Sequence, residues 1–175
     1  AGSYDVVVAN ACSSTTSAVA TLTVNLALAD VFHSQFSQSV TALVPEPAGR
    51  VLVGGLVGFL GQSNPTMLAR LNRDGVVEPD CAFEAQGFLW CLAQHLGDGL
   101  WAGGAIRPPG ASSYALARLH DNGSLAALLP LAPNPRGQSF VRCLARQADG
   151  KLLVGGQFGN IGGKPRLNLA RLNED

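Results

Sequence analysis

Three arginines recur in one setting along this chain. Arg70, Arg118 and Arg171 each stand third in a Leu-Ala-Arg-Leu string. A guanidinium presents its donors in a fixed fork that matches a carboxylate or a phosphate, so equivalent copies have two readings. They form a ring that holds an anion, or each is structural and bonds neighbouring backbone carbonyls or a turn aspartate. Repetition in every copy favours the structural role, because ligand sites usually break symmetry. The other reactive side chains are scattered. Cys12, Cys81, Cys91 and Cys143 form no Cys-x-x-Cys pair and none stands at zinc spacing from a histidine, so no metal and no cofactor is expected. Cys91 and Cys143, in register with Ala42, read as small buried side chains; a Cys81–Cys91 bridge is the alternative in an oxidising compartment. His33, His95 and His120 fall at unrelated points of the pattern, with no nucleophile and orienting acid beside them, so no catalytic residue is expected. Asp74, Asp98, Asp121 and Asp149 are single carboxylates in turns, not the oxygen cluster that calcium needs.

The elements that must position these residues repeat with the same period. The pair Gly54-Gly55 returns as Gly103-Gly104 and Gly155-Gly156, and a turn glycine returns at Gly49, Gly99 and Gly150, all about 50 residues apart. Each unit reads as strands. In the first, Val40 to Val44 is apolar, a Pro-Glu-Pro-Ala-Gly turn follows, and Val51-Leu52-Val53 runs apolar up to the glycine pair, as suits a strand covered on both faces. Met67 to Leu71 is a third strand, and Asp74-Gly75 turns the chain into a fourth. No stretch holds a 3.6-residue apolar rhythm. Four strands per unit, in tandem, is the pattern of a β-propeller blade, whose two faces are sealed only by neighbours. The expected fold is therefore all-β: a partial propeller of about three four-stranded blades, at 36–83, 84–137 and an incomplete 138–175, after a linker at 26–35 and an N-terminal β-hairpin at 1–25. Between the conserved landmarks lie variable loops after each glycine pair, 56–65, 105–113 and 157–165. Binding residues tend to sit on such loops. Asn64, Arg107, Asn160, Lys164 and Arg166 are the ligand-binding candidates there, against the alternative of solvated loop tips.

The units "GRVLVGG…MLARLNRDGVV", "DGLWAGG…ALARLHDNGSL" and "DGKLLVGGQFGNIGGKPRLNLARLNED" resemble the bacterial delta-60 repeat, a propeller-forming unit of large secreted or surface proteins. The likeness spans about residues 36 to 175 and is weakest in the second unit, at Trp101 and Pro108-Pro109. Residues 1–10 and 17–24 read as two alternating strands of a hairpin. "AGSYDVVVANACSSTTSAVATLTV" resembles the last two strands of a bacterial immunoglobulin-like domain, with Tyr4 as its corner tyrosine and Val6 where a cysteine usually stands. The other strands of that domain are absent, and Asp175 matches Asp74, one residue short of the turn glycine, so a segment of a larger protein is expected.

Composition narrows the function classes. Twelve basic and 12 acidic residues cancel, and charged residues are only 14% of the chain. Phosphate neutralisation needs a basic face, so nucleic acid is not an expected partner. No apolar run approaches the roughly 18 residues of a membrane helix, so no membrane insertion is expected, and residues 1–10 lack the basic-then-apolar pattern of a secretory leader. The resemblances imply a non-catalytic structural or adhesive module at the bacterial cell surface or outside the cell. Its partners would be other parts of the same protein, copies of itself, or a protein or glycan ligand. The alternative is the propeller of a secreted glycan-active enzyme.

Overall fold

The computed structural model describes residues 2–22, 32, 36, 39–57, 66–95, 97 and 99–173. The chain divides into two compact units, residues 1–31 and 32–175.

The first unit is one long hairpin pinched in the middle. Strands β1 (Gly2–Tyr4) and β4 (Ala20–Leu22) pair at its open end, and β2 (Val7–Ala9) and β3 (Ser14–Thr16) pair near its tip. Asn10 shapes the tip: its side-chain oxygen accepts the amides of Cys12 and Ser13, each at 2.9 Å. Such an Asx turn substitutes side-chain for ladder bonding. Pairing on the returning arm starts at Ser14, earlier than the expected 17–24, because this tight turn leaves Ser14 already opposite Ala9. Ser17 makes the pinch, its amide donating to the Val6 carbonyl and its hydroxyl accepting the Val6 amide. Tyr4, Val6, Val7, Val8 and Val19 are all exposed.

The second unit is a partial β-propeller. Blade 1 is the four-stranded antiparallel sheet β5 (Val40–Pro45), β6 (Val51–Val57), β7 (Thr66–Leu71) and β8 (Val77–Ala82). Blade 2 repeats it with β9 (Gln86–Gln94), β10 (Leu100–Arg107), β11 (Ala115–Leu119) and β12 (Leu125–Ala132). Blade 3 contains β13 (Phe140–Arg146), β14 (Leu152–Gln157) and β17 (Leu169–Leu172). No α-helix occurs among the described residues. The expected loop 157–165 instead holds a small hairpin, β15 (Asn160–Ile161) and β16 (Lys164–Pro165), turned by Gly162-Gly163 at positive φ. It pairs with β12, placing Ile161 opposite Leu131, so blade 3 lends two strands to the outer edge of blade 2.

The blades stack through their first strands, β5 against β9 and β9 against β13. Alternation does the rest. Along β6, Leu52 enters the core shared with blade 2, whereas Val53 turns to the opposite face with Ala69 and Leu71. Along β10, Trp101 joins blade 3's core and Ala102 joins blade 1's. This is why the strands after each turn are continuously apolar: a side-chain period of two distributes them between two buried faces. We call the face covered by the following blade the trailing face, and the opposite one the leading face.

Candidate functional site

The glycine pairs do two separate jobs. The second glycine of each pair sits where the first strand bulges. A Cβ on Gly55, Gly104 or Gly156 would stand 2.3, 2.1 or 2.2 Å from the carbonyl oxygen of Ser39, Phe88 or Phe140. Any side chain would push the first strand off the sheet. The first glycine makes a socket on the trailing face. A Cβ on Gly54 would meet Leu89 at 2.6 Å and Leu92 at 2.8 Å, and one on Gly103 would meet Val141 at 2.8 Å. These are leading-face side chains of the next blade. Gly155 is equivalent, but among the described residues only Cys143 of its own sheet lies within 4 Å of such a Cβ. A polar clasp accompanies the first joint: the Thr41 hydroxyl donates to the Leu89 carbonyl at 2.6 Å, and the Gln94 amide nitrogen donates to Pro45. The second joint has an edge-on Trp90–Phe140 contact, with Arg142 over the Trp90 ring at 5.0 Å.

The recurring arginines differ according to what surrounds them. Arg70 is buried. It holds Glu46 through two bonds, Nε to Oε2 at 2.8 Å and Nη2 to Oε1 at 3.1 Å, and its Nη2 also donates to the Asp121 carbonyl of blade 2 at 2.8 Å. Asp80 adds a contact at 3.3 Å. Burial works against this cation, but the bond to Glu46 and the surrounding negative charges outweigh it and raise its pKa. Arg70 is thus a structural clamp between two blades, with a backbone carbonyl among its acceptors. Arg118 is half-buried and Arg171 exposed.

The loop candidates do not converge. Asn64 lies outside the described residues. Arg107 ends β10 and lines an open cleft of about 630 Å3 with Glu84, Gln86 and the Pro108–Ala111 turn. Its guanidinium lies 5.2 Å from the Tyr114 ring centre, and its Nε is buried without a partner. Asn160, Lys164 and Arg166 gather on the β15–β16 hairpin and just beyond it, and none lines the Arg107 cleft. Asn160 is half-buried, Lys164 and Arg166 are exposed, and Arg166 donates to the adjacent Pro165 carbonyl. The cysteines Cys12, Cys81, Cys91 and Cys143 are free thiols. Burial pushes Cys81 up to about 11 and Cys91 up to about 12. Among the described residues no cluster of His, Cys, Asp and Glu is placed to hold a metal. His33 and Asp98 lie outside the described residues, and His120 is an exposed turn residue.

Sequence reading passed over Glu46, and named His95 only as a histidine at an unrelated point of the pattern. Both follow a blade's first strand, and their equivalence shows only once the turns are superposed: the amides of Glu46, His95 and Gln147 bond the carbonyls of Arg50, Gly99 and Lys151. A β-propeller domain of unknown function, DUF5122, matches residues 147–175, the stretch that carries β14 to β17. No curated protein matches the chain. The match and the sheets agree on a propeller-type domain.

Proposed function

We propose that this chain is a non-catalytic structural or adhesive module of a large bacterial extracellular or surface protein, and that it works by docking blade on blade. One observation carries the reading. Leu68 and Leu116, on the trailing faces of blades 1 and 2, are 0% exposed, whereas Leu169 at the same position of blade 3 is 64% exposed. The other half of the joint is open along its first strand, beside Val53, Ala69 and Leu71, against which Phe36 packs. Val40 and Leu43 of blade 1 correspond to the socket-filling Leu89 and Leu92, and are 42% and 63% exposed. They border an apolar groove of about 190 Å3 with Phe36, Val51 and Leu71. Leu169 on one side and Val40 and Leu43 on the other therefore supply contacts of a joint the chain already makes twice within itself.

A second copy fits this description. Closed propellers have four to eight blades, so the blades that cover these faces come from elsewhere in the same protein or from a second copy. Surface placement and the immunoglobulin-like reading of the N-terminal hairpin rest on the resemblances, and the loop residues Arg107, Asn160, Lys164 and Arg166 remain the candidates for a protein or glycan ligand. The zero net charge leaves recognition to shape, with little long-range steering. The glycan-active alternative uses two carboxylates about 5 to 10 Å apart, and the cleft beside Arg107 is lined by one, Glu84.

The test is solution mass across a concentration series. The wild-type chain is expected to self-associate, and Leu43→Asp and Leu169→Asp are each expected to be monomeric with an unchanged β-sheet circular dichroism spectrum. A wild type that stays monomeric at high concentration, or folded variants that associate as it does, would refute the docking.

A further inference from the structure

Blade 2 carries the arginine of the blade 1 clamp without its acid. Where blade 1 has Glu46 gripping Arg70, blade 2 has His95 at the same turn position and Arg118 at the same strand position. His95 is only 8% exposed, and neither ring nitrogen has a hydrogen-bonding partner in the protein. No ion pair of Arg118 occurs among the described residues. Both side chains line a cavity of about 250 Å3, whose remaining walls are Trp101, Ala127, Leu129, Leu172 and Asn173. A buried imidazole with both nitrogens unsatisfied is destabilising unless something in the cavity bonds it.

We infer that this cavity is a binding site for a small carboxylic acid. The acid takes the place that the Glu46 carboxylate occupies in blade 1. Its two oxygens accept from the Arg118 guanidinium and from the His95 N–H, as a planar fork favours. The apolar walls then receive a short hydrocarbon tail, which distinguishes this site from one for an inorganic anion. The volume admits a molecule of a few carbons and not a sugar chain. The inference is independent of the docking proposed above, since it uses neither bare blade face.

The chain should be titrated with sodium butyrate at fixed ionic strength, with sodium chloride as the matched control, following binding by calorimetry and Trp101 fluorescence. Saturable butyrate binding is expected, with chloride silent. Arg118→Gln should weaken it at least tenfold. His95→Glu should abolish it while leaving the chain folded, because blade 1 shows that an acid at this position pairs with the arginine internally. Blade 1 supplies the converse test: Glu46→His should add a second butyrate site. Should Arg118→Gln fail to fold, the His95→Glu comparison still decides. Absence of saturable binding, an equal response to chloride, or affinity unchanged in folded His95→Glu would each overturn the assignment.

Discussion

The joint between blades 1 and 2 and the trailing face of blade 3 share the repeat's Leu, Gly and Arg at the same positions, though Gln147 stands where Glu46 does, and they are physically different places. In the joint, Leu68 is sealed, Gly54 receives Leu89 and Leu92, and Arg70 is clamped between Glu46 and the Asp121 carbonyl. On blade 3, Leu169 and Arg171 are exposed and, among the described residues, a Cβ on Gly155 would meet only Cys143 of the neighbouring strand. Burial, and with it energetic weight, is conferred by the next sheet rather than by the residue. A repeat protein can therefore carry a motif three times and use it fully only where a neighbour stands.

Paired substitutions sharpen that contrast. The largest gap is expected for Leu116→Ala against Leu169→Ala. The first empties a sealed core position and should cost about 2–5 kcal/mol, while the second should stay within about 0.5 kcal/mol, read as urea midpoints at dilutions where the chain is monomeric. Arg70→Gln should cost about 2 kcal/mol by leaving the Glu46 carboxylate half-paired and the Asp121 carbonyl unbonded; Arg171→Gln should be near neutral. Gly103→Ala overpacks against Val141 and should cost roughly 1–3 kcal/mol, whereas Gly155→Ala needs only the Cys143 thiol to rotate and should cost less. Equal effects within the Leu or the Gly pair at that dilution would show that blade 3's trailing face is covered even in the single chain, and the gap should close as concentration rises and copies dock.

The smallest effect is a labelling rate. At pH 8, Cys12 and Cys143 are expected to react with a maleimide at once, and Cys81 and Cys91 only on unfolding, because burial raises both thiols well above their ordinary value near 9. Cys143 lies beside the Gly155 socket, so its labelling should slow as concentration rises if copies dock there. The same shifts have a stability consequence. Their contribution is fully present below pH 9 and is lost as the pH climbs toward 11 and 12, so alkaline titration should lower the urea midpoint.

Much of this was legible without coordinates. The strands of blades 1 and 2, the turn glycines at Gly49, Gly99 and Gly150, all at positive φ, and the structural use of Arg70 follow from periodicity and turn chemistry. The β15–β16 hairpin was hidden because Gly162-Gly163 reads as loop and its four strand residues are too few to show alternation. The separate duties of the two glycines were hidden because both are simply missing a side chain. The His95 cavity was hidden because its walls come from two blades, and only the loss of an acid at one repeat position hinted at it.

What the amino acids determined alone is local: which segments are extended, where they turn, and that each sheet has two apolar faces in need of cover. Those follow from backbone sterics and a two-residue alternation, which operate over a few residues and need no neighbour. Which copy of Leu or Gly is sealed or socketed, and whether Arg70 also finds the Asp121 carbonyl of the next blade, was decided by tertiary structure. Solvent exclusion and hydrogen-bond satisfaction depend on atoms some fifty residues away in the chain, and no property of the residue itself encodes whether those atoms arrive.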